Sequence, residues 1–188
     1  MHPVLTAVAV LCDLLAVAGA AYFAMCILAA KSFRREISRP RKTHFTPPVS
    51  ILRSLKGLDP HMYAAFRSHC LLDYPEYEVL FGVSDPTEPA LALVEKLREE
   101  FPQANLRVVH CSQNLGLNGK VSNLVQMLPQ ARFEYIIIND SDILAPRDYL
   151  LRVLAPLAQP KVGMVTTLYR GLAGTTLGSK LEALGLST

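Results

Sequence analysis

Two hydrophobic patterns divide the chain. Residues 4–30 are apolar almost throughout, with Asp13 as the only charge. A run of that length exceeds the roughly 20 residues that cross a bilayer as a helix, so residues 1–30 are expected to form a transmembrane anchor. Beyond it, short apolar blocks alternate with turn residues. Strands are predicted over 49–55, 77–84, 106–111, 135–139 and 162–169. Helices are predicted over 59–72, 89–101, 119–131 and 146–158. Asp59 is placed as N-cap of the first, with Pro60 at its first helical position. Leu91, Val94, Leu97 and Phe101 share one face of the second. A further helix begins in the last residues, around 181–188. Strands and helices in this alternation imply a mostly parallel, Rossmann-like α/β sheet with helices on both faces. Such sheets bind ligands at the carboxyl ends of their strands.

Charge adds an orientation. Lys31, Arg34, Arg35, Arg39, Arg41 and Lys42 follow the apolar run directly. Positive charge stays on the cytoplasmic side, so the amino terminus is expected outside and the globular part in the cytosol, joined by a basic juxtamembrane linker over 31–48. That linker can also hold anionic headgroups. Only His2 and the amino terminus precede the apolar run, whereas a cleaved signal peptide has a basic start and a shorter core. Asp13 fits either a contact with another membrane helix or a side chain reaching the near interface. The net charge of +3 is too small to argue for nucleic acid, and no nucleic-acid motif occurs. The four cysteines, Cys12, Cys26, Cys70 and Cys111, form no metal or disulfide spacing and read as small hydrophobes.

Candidate chemistry sits where the sheet argument places it, just after strands. Asp85 follows the second strand. Asn114, Gly116, Asn118, Gly119 and Lys120 follow the third and open a helix. Asp140, Ser141 and Asp142 follow the fourth. Two carboxylates one residue apart can share Mg2+ or Mn2+, which favour oxygen ligands and keep sites open for phosphate oxygens. Asp140 and Asp142 can equally be turn and cap residues for the helix at Pro146. Lys120 can meet a phosphate at a helix start or be a solvated surface lysine. Asp85 can accept from a base or ribose, or be a turn residue before Pro86. A phosphate-binding P-loop is excluded, because it needs Gly at Asn114 and Ser or Thr at Val121. His44, His61, His69 and His110 are scattered and read as structural or exposed. An Asp-x-Asp after an apolar strand also occurs in haloacid-dehalogenase-like phosphatases. Those enzymes place it on the domain's first strand and want Thr or Val where Leu144 stands.

Four stretches, in order, carry a family resemblance. Val49-Ser-Ile-Leu-Arg-Ser-Leu-Lys-Gly-Leu-Asp-Pro60 resembles the first strand of ceramide glucosyltransferase-like enzymes. Leu72-Asp-Tyr-Pro-Glu-Tyr-Glu-Val-Leu-Phe-Gly-Val-Ser-Asp85 resembles their second. Asn118-Gly-Lys-Val-Ser-Asn123 and Ile138-Asn-Asp-Ser-Asp-Ile143 fit as well. Within these enzymes the chain is most similar to the bacterial hopanoid-biosynthesis-associated branch.

The resemblance implies a GT-A fold in the inner (cytoplasmic) membrane. It also implies inverting transfer of glucose or N-acetylglucosamine from a UDP-sugar to a lipid hydroxyl of hopanoid or ceramide type. Carried over by position, Asp85 contacts the uridine, and Lys56 and Gly57 border the nucleotide pocket. Lys120 lies near the nucleotide, and Asp140 with Asp142 forms the metal-binding Asp-x-Asp. Residues 49–188 would then be a partial GT-A domain holding the donor half of the site. Departures are Arg53-Ser54, where the family often has Lys-Pro, and the lack of a second acidic residue near Thr87. The family continues to a further acidic position, the general base, and to a motif containing Arg-Trp. This chain has no Trp, so the general base is expected beyond Thr188. The alternative is a truncated, donor-binding membrane protein without catalysis.

Overall fold

The computed structural model describes residues 2–37 and 44–185, and the chain divides into two units, Met1–Lys42 and Thr43–Thr188.

The first unit is one helix, α1 (His2–Ile37). At 1.5 Å per residue its 36 residues reach about 54 Å. Within it, Pro3–Arg35 is long and apolar enough to cross a bilayer. Val4, Leu5, Leu11, Phe23 and Leu28 are all more than half exposed along it, and Cys12 and Cys26 are exposed too rather than buried. The helix runs past residue 30 through Lys31, Arg34 and Arg35, and the two arginines lie in its last turn, where cations offset the carbonyl end of the dipole. Arg39, Arg41 and Lys42 lie outside the described residues.

The second unit is built on β1 (Val49–Ser54), β2 (Tyr77–Val83), β3 (Leu106–His110) and β4 (Tyr135–Ile138). They form one sheet in the order β3-β2-β1-β4. Every pairing is parallel, with Val49 opposite both Tyr77 and Tyr135. The expected parallel α/β architecture is therefore present. Helices α2 (Met62–Cys70), α3 (Leu91–Glu100), α4 (Gly119–Met127), α5 (Tyr149–Leu154) and α6 (Leu177–Gly185) complete it.

Strand alternation sorts the core into two layers. Val49, Ile51 and Leu55 from β1 and its end, with Val79, Phe81 and Val83 from β2, pack against Met62, Phe66, Val94, Leu97, Leu150 and Leu154. Leu52 and Leu80 point to the other face, against Cys111 and Met127. On that second face α4 comes very close. A Cβ built on Gly82 would lie 2.2 Å from the Met127 sulfur, so only glycine fits beneath the helix without a shift.

Several boundaries differ from those expected. Helix α2 begins at Met62 instead of 59, because the Asp59 side chain accepts from the His61 N–H at 2.8 Å. The Asp59 carbonyl also takes the Met62 N–H, which closes a turn before the helix starts. Helices α4 and α5 stop early and continue as short 3-10 turns at Leu128–Gln130 and Ala155–Ala158. Each turn carries a proline near its start, which removes a helical donor. The strand expected over 162–169 does not form. Those residues pair with no strand, and Met164 and Leu168 are more than four-fifths exposed. An apolar, β-prone segment becomes a strand only when a neighbour pairs with it.

Glu78 on β2 is fully buried on the α4 side and holds that layer together. It accepts from Ser50 Oγ at 2.7 Å, from the Arg132 backbone N–H at 2.7 Å and from Arg107 Nη1 at 3.0 Å. Burial alone pushes its carboxyl pKa up, but the bonds from Arg132, Ser50 and Arg107 outweigh it and hold the pKa below the ordinary 4.5. A depressed carboxyl stabilises the fold above its unfolded value, and the gain is lost as pH falls through the folded value. Glu78→Gln is expected to destabilise the detergent-solubilised chain by about 3 kcal/mol at pH 7 in urea titrations. The difference from the unmodified chain should shrink as pH falls below 4.5, and a difference constant from pH 7 to 3 would contradict the assignment.

Candidate functional site

The chain builds β1, β2 and β3 outward in one direction, then returns to lay β4 on the free side of β1. The order reverses between β1 and β4, and in such sheets the crevice at the carboxyl ends of those two strands is the ligand site. Asp140, Ser141 and Asp142 follow β4 there, and Ser54, Lys56 and Gly57 end β1 beside them.

Side chains tie this edge together. Asn123, 4% exposed on α4, donates to Ser54 Oγ at 2.9 Å and accepts from Ser84 Oγ at 2.8 Å. One amide thus clamps the ends of β1 and β2. At the same ends Gly57, with φ of 73°, turns its N–H onto Glu88 Oε1 at 2.8 Å. The positive φ is the region that favours glycine. Glu88 in turn donates its N–H to the Asp85 carbonyl at 3.1 Å. The loop before α4 is fastened to the helix itself. Ser122 Oγ donates to the Gln113 carbonyl at 2.9 Å and accepts the Leu115 N–H at 3.0 Å. Asn118 caps α4 by accepting the Val121 N–H.

The expected site residues are placed as follows. Lys120, in the first turn of α4, forms an ion pair with Asp140 Oδ1. Both side chains remain nearly half exposed, at 46% and 44%. Asp142 is exposed on the same turn. Asp85 is exposed, and its Oδ1 accepts both the N–H and the hydroxyl of Thr87 at 2.7 Å. The Thr87 hydroxyl, and then its N–H, hold the Asp85 carboxyl below its ordinary value. Lys56 is exposed and enters none of these contacts among the described residues. The structure therefore brings Lys120 to Asp140 and joins Gly57 to the Asp85 loop through Glu88. The alternative role of Asp140 and Asp142 as helix caps is not seen, since α5 starts at Tyr149 with Asp148 as its N-cap.

Beneath the Asp-Ser-Asp turn lies a buried polar cluster. Arg53 is 0% exposed. Its Nη2 donates to the Asp140 carbonyl at 3.0 Å, and Nη1 contacts His69 Nδ1 at 2.7 Å and the Ala65 carbonyl at 3.3 Å. The guanidinium lies over Phe66, 4.9 Å from the ring centre. Burial lowers its pKa to about 10, with Asp142 the largest opposing influence, so it stays charged at neutral pH. Burial first, then the Arg53 charge, lowers the His69 pKa to about 3, so that ring is neutral. His69 Nδ1 also lies 2.9 Å from the Ala65 carbonyl; accepting from Arg53 puts the ring proton on Nε2, whereas donating to Ala65 puts it on Nδ1. The Asn139 carboxamide touches Nε2 at 3.0 Å and the Tyr149 hydroxyl at 2.9 Å. The carboxamide nitrogen faces Nε2, and its Oδ1 accepts the Tyr149 hydroxyl.

These buried partners were not singled out as site residues from the sequence, although signals were present. Arg53 shares a strand face with Val49, Ile51 and Leu55, where an apolar residue is the norm. Asn123 lies one turn from Met127 on the buried side of α4, and His69 lies one turn from Ala65 and Phe66 on that of α2. A polar side chain in a buried register needs partners.

For a cation, Asp140 and Asp142 offer oxygen donors on a solvent-reached turn. Among the described residues no group of three or more His, Cys, Asp or Glu side chains could hold a metal ion. Two carboxylates would supply only part of a coordination sphere and leave the rest to water and ligand oxygens. That donor set fits Mg2+ or Mn2+ carried in with a phosphate.

Comparison with known proteins agrees with this geometry. Residues 11–188 match the family described as Glycosyl transferase family 21. The ceramide glucosyltransferase of Komagataella phaffii is 30% identical over 141 residues, 69% of this chain and 28% of that protein. The beta-monoglucosyldiacylglycerol synthase of a Synechocystis strain is 29% identical over 119 residues, 62% of this chain and 24% of that protein. Among solved structures, a mannosyltransferase from Pyrobaculum calidifontis in complex with GDP-Man and Mn2+ matches 77% of this chain and 43% of its own, at 26% identity and a TM-score of 0.57. The fold is that of the GT-A glycosyltransferases. Over the roughly one quarter of its relatives' length that it spans, the chain belongs to glycosyl transferase family 21.

Proposed function

We propose that this chain is the donor-binding part of a membrane-bound glycosyltransferase. The enzyme moves glucose or N-acetylglucosamine from a UDP-sugar to the hydroxyl of a membrane lipid, of ceramide or hopanoid type, with inversion at the anomeric carbon. One observation carries the reading: a half-exposed Asp140, paired with Lys120 beside an exposed Asp142, stands at the β1–β4 switch point. The named relatives support a lipid acceptor, since their names are those of a ceramide glucosyltransferase and a glucosyldiacylglycerol synthase. The mannosyltransferase solved with GDP-Man and Mn2+ supports a nucleotide-sugar and a divalent cation.

Asp140 and Asp142 would hold Mg2+ or Mn2+, which would supply charge neutralisation at the departing diphosphate. Lys120 and the start of α4 face the phosphates, with the helix N-terminus favouring negative charge. Asp85, Lys56 and Gly57 border the uridine, with Glu88 and Asn123 fixing the spacing of the strand ends that carry them. The lipid oxygen bonds to the anomeric carbon as the bond from that carbon to the diphosphate oxygen breaks. UDP leaves with the electron pair, and the hydroxyl proton passes to a base outside the residues assigned here. General-base help is worth a factor of roughly 10² to 10⁴. Residues 1–30 serve as the anchor and 31–48 as the basic linker. Residues 49–188 form the donor part, facing the cytosol of an inner membrane. A second reading, donor binding with no transfer by this chain alone, is favoured by its span of 28% of the ceramide glucosyltransferase. Family membership removes the phosphatase reading.

Isothermal titration of the detergent-solubilised chain is expected to show UDP binding in Mn2+ or Mg2+ that EDTA abolishes. Asp142→Ala should weaken that binding about tenfold or more, the loss of a charged contact. A folded chain with no UDP affinity, or with affinity indifferent to metal and to Asp142, would contradict the donor site. For orientation, trypsin added to sealed inverted inner-membrane vesicles is expected to digest the part after residue 43, while right-side-out vesicles protect it. The opposite pattern would reverse the assigned topology.

A further inference from the structure

Arg53 is an expensive residue to bury. It is 0% exposed, its Nε has no hydrogen-bond partner, and among the described residues it forms no ion pair within 4.0 Å. Removing a cation from water without a carboxylate in contact is unfavourable by several kcal/mol. A strand core position beside Ile51 and Leu55 would be better filled by Leu or Met on packing grounds alone. What the guanidinium touches explains its retention. One nitrogen donates to the Asp140 carbonyl and the other reaches His69 and Ala65 on α2. The same turn is gripped at its neighbours. Asn139 meets His69 and Tyr149, and the Ala145 N–H donates to Ser68 Oγ on α2 at 3.0 Å. Helix α2 is thereby wired to the backbone of the Asp-Ser-Asp turn through a cation that cannot lose its charge at neutral pH. Two carboxylates one residue apart repel each other, and a fixed positive charge under the turn offsets that repulsion.

We propose that Arg53 is a positioning residue of the donor site: anchored to α2 at the Ala65 carbonyl and beside His69, it fixes the Asp140–Asp142 turn in the conformation that presents both carboxylates. The turn's role as donor site rests on the reading above, whereas its fixation by Arg53 does not.

The test is hydrogen–deuterium exchange of the full chain in detergent, read on the peptide covering residues 139–145 and on control peptides from β2 and α3. Arg53→Met should raise exchange at 139–145 about tenfold or more, the loss of a buried charge-assisted bond, with the controls changed much less. Arg53→Lys keeps the charge but not the fork, and should give a smaller rise at the same place. Tyr149→Phe removes one hydroxyl and leaves the core volume intact. It should loosen 139–145 slightly, and it keeps the test open if Arg53→Met does not fold. Mn2+-dependent UDP affinity should fall in the order Tyr149→Phe, Arg53→Lys, Arg53→Met. Folded Arg53→Lys and Tyr149→Phe proteins with unchanged exchange at 139–145 would overturn the proposal. So would a rise shared equally by the control peptides. If the unmodified chain binds no UDP while the exchange pattern appears as described, the donor reading fails and the positioning of the turn stands.

Discussion

Two parallel strands that sit side by side while their connections leave in opposite directions cannot both be closed over at their carboxyl ends. That constraint, at β1 and β4, shapes the rest of this domain. In sheets of this kind it leaves a crevice at the carboxyl ends of the two strands. It puts the residues after each strand at the rim, and it makes their precise spacing a problem the surrounding side chains must solve. The solution is polar and mostly buried. Asn123 reaches from α4 to the ends of β1 and β2, Glu88 joins the turn at Gly57 to the loop at Asp85, and Arg53 supports the turn after β4 from below. Each is a long or amide-bearing side chain spanning two segments distant in sequence.

This division of labour separates the exposed groups at the strand ends from the buried groups that hold them. Lys120, Asp140 and Asp142 are exposed or half exposed and pair in ways that solvent can exchange. Arg53, His69, Asn123 and Asn139 are buried and bonded to neighbouring side chains or backbone, the Arg53 Nε excepted. A carboxylate pair on a flexible loop would lose cation affinity to the entropy of ordering it. Here the turn is fastened from its backbone side, so its main chain is held while its carboxylates face outward, Asp140 onto Lys120. At the far end of α4 the Met127 side chain packs close over Gly82, and the capped start of that helix carries the Lys120 that pairs with Asp140.

Much of this was legible in the chain. Alternation of strands and helices, the end residues Asp85, Asp140 and Asp142, and the long apolar start all follow from periodicity and position. The misses have physical causes. Residues 162–169 carry strand-like composition, but a strand is a property of a pair, and no partner strand meets them. Asp59 and Pro60 look like a helix start, yet the Asp59 side chain spends itself on a turn one residue pair earlier. The supporting residues escaped because the sequence reading leaves His69 among scattered histidines and meets Arg53 and Asn123 only inside stretches that carry the family resemblance. Their importance lies in a register that places them inward beside Val49 and Ile51, beside Phe66 and beside Met127. Only the packed sheet shows that the inward arginine meets the turn carrying the carboxylates.

The central claim is that the β1–β4 crevice is a divalent-cation and nucleotide site built on Asp140 and Asp142. Paramagnetic broadening tests it most directly: a trace of Mn2+ is added to the labelled, detergent-solubilised chain with UDP, and the amide signals are followed by NMR. The account predicts the strongest loss at residues 139–143. Weaker losses should follow at 54–57, 85–88 and 118–121, and excess Mg2+ should reverse all of them. Broadening centred on any other part of the chain, or spread evenly over its acidic surface, would contradict it.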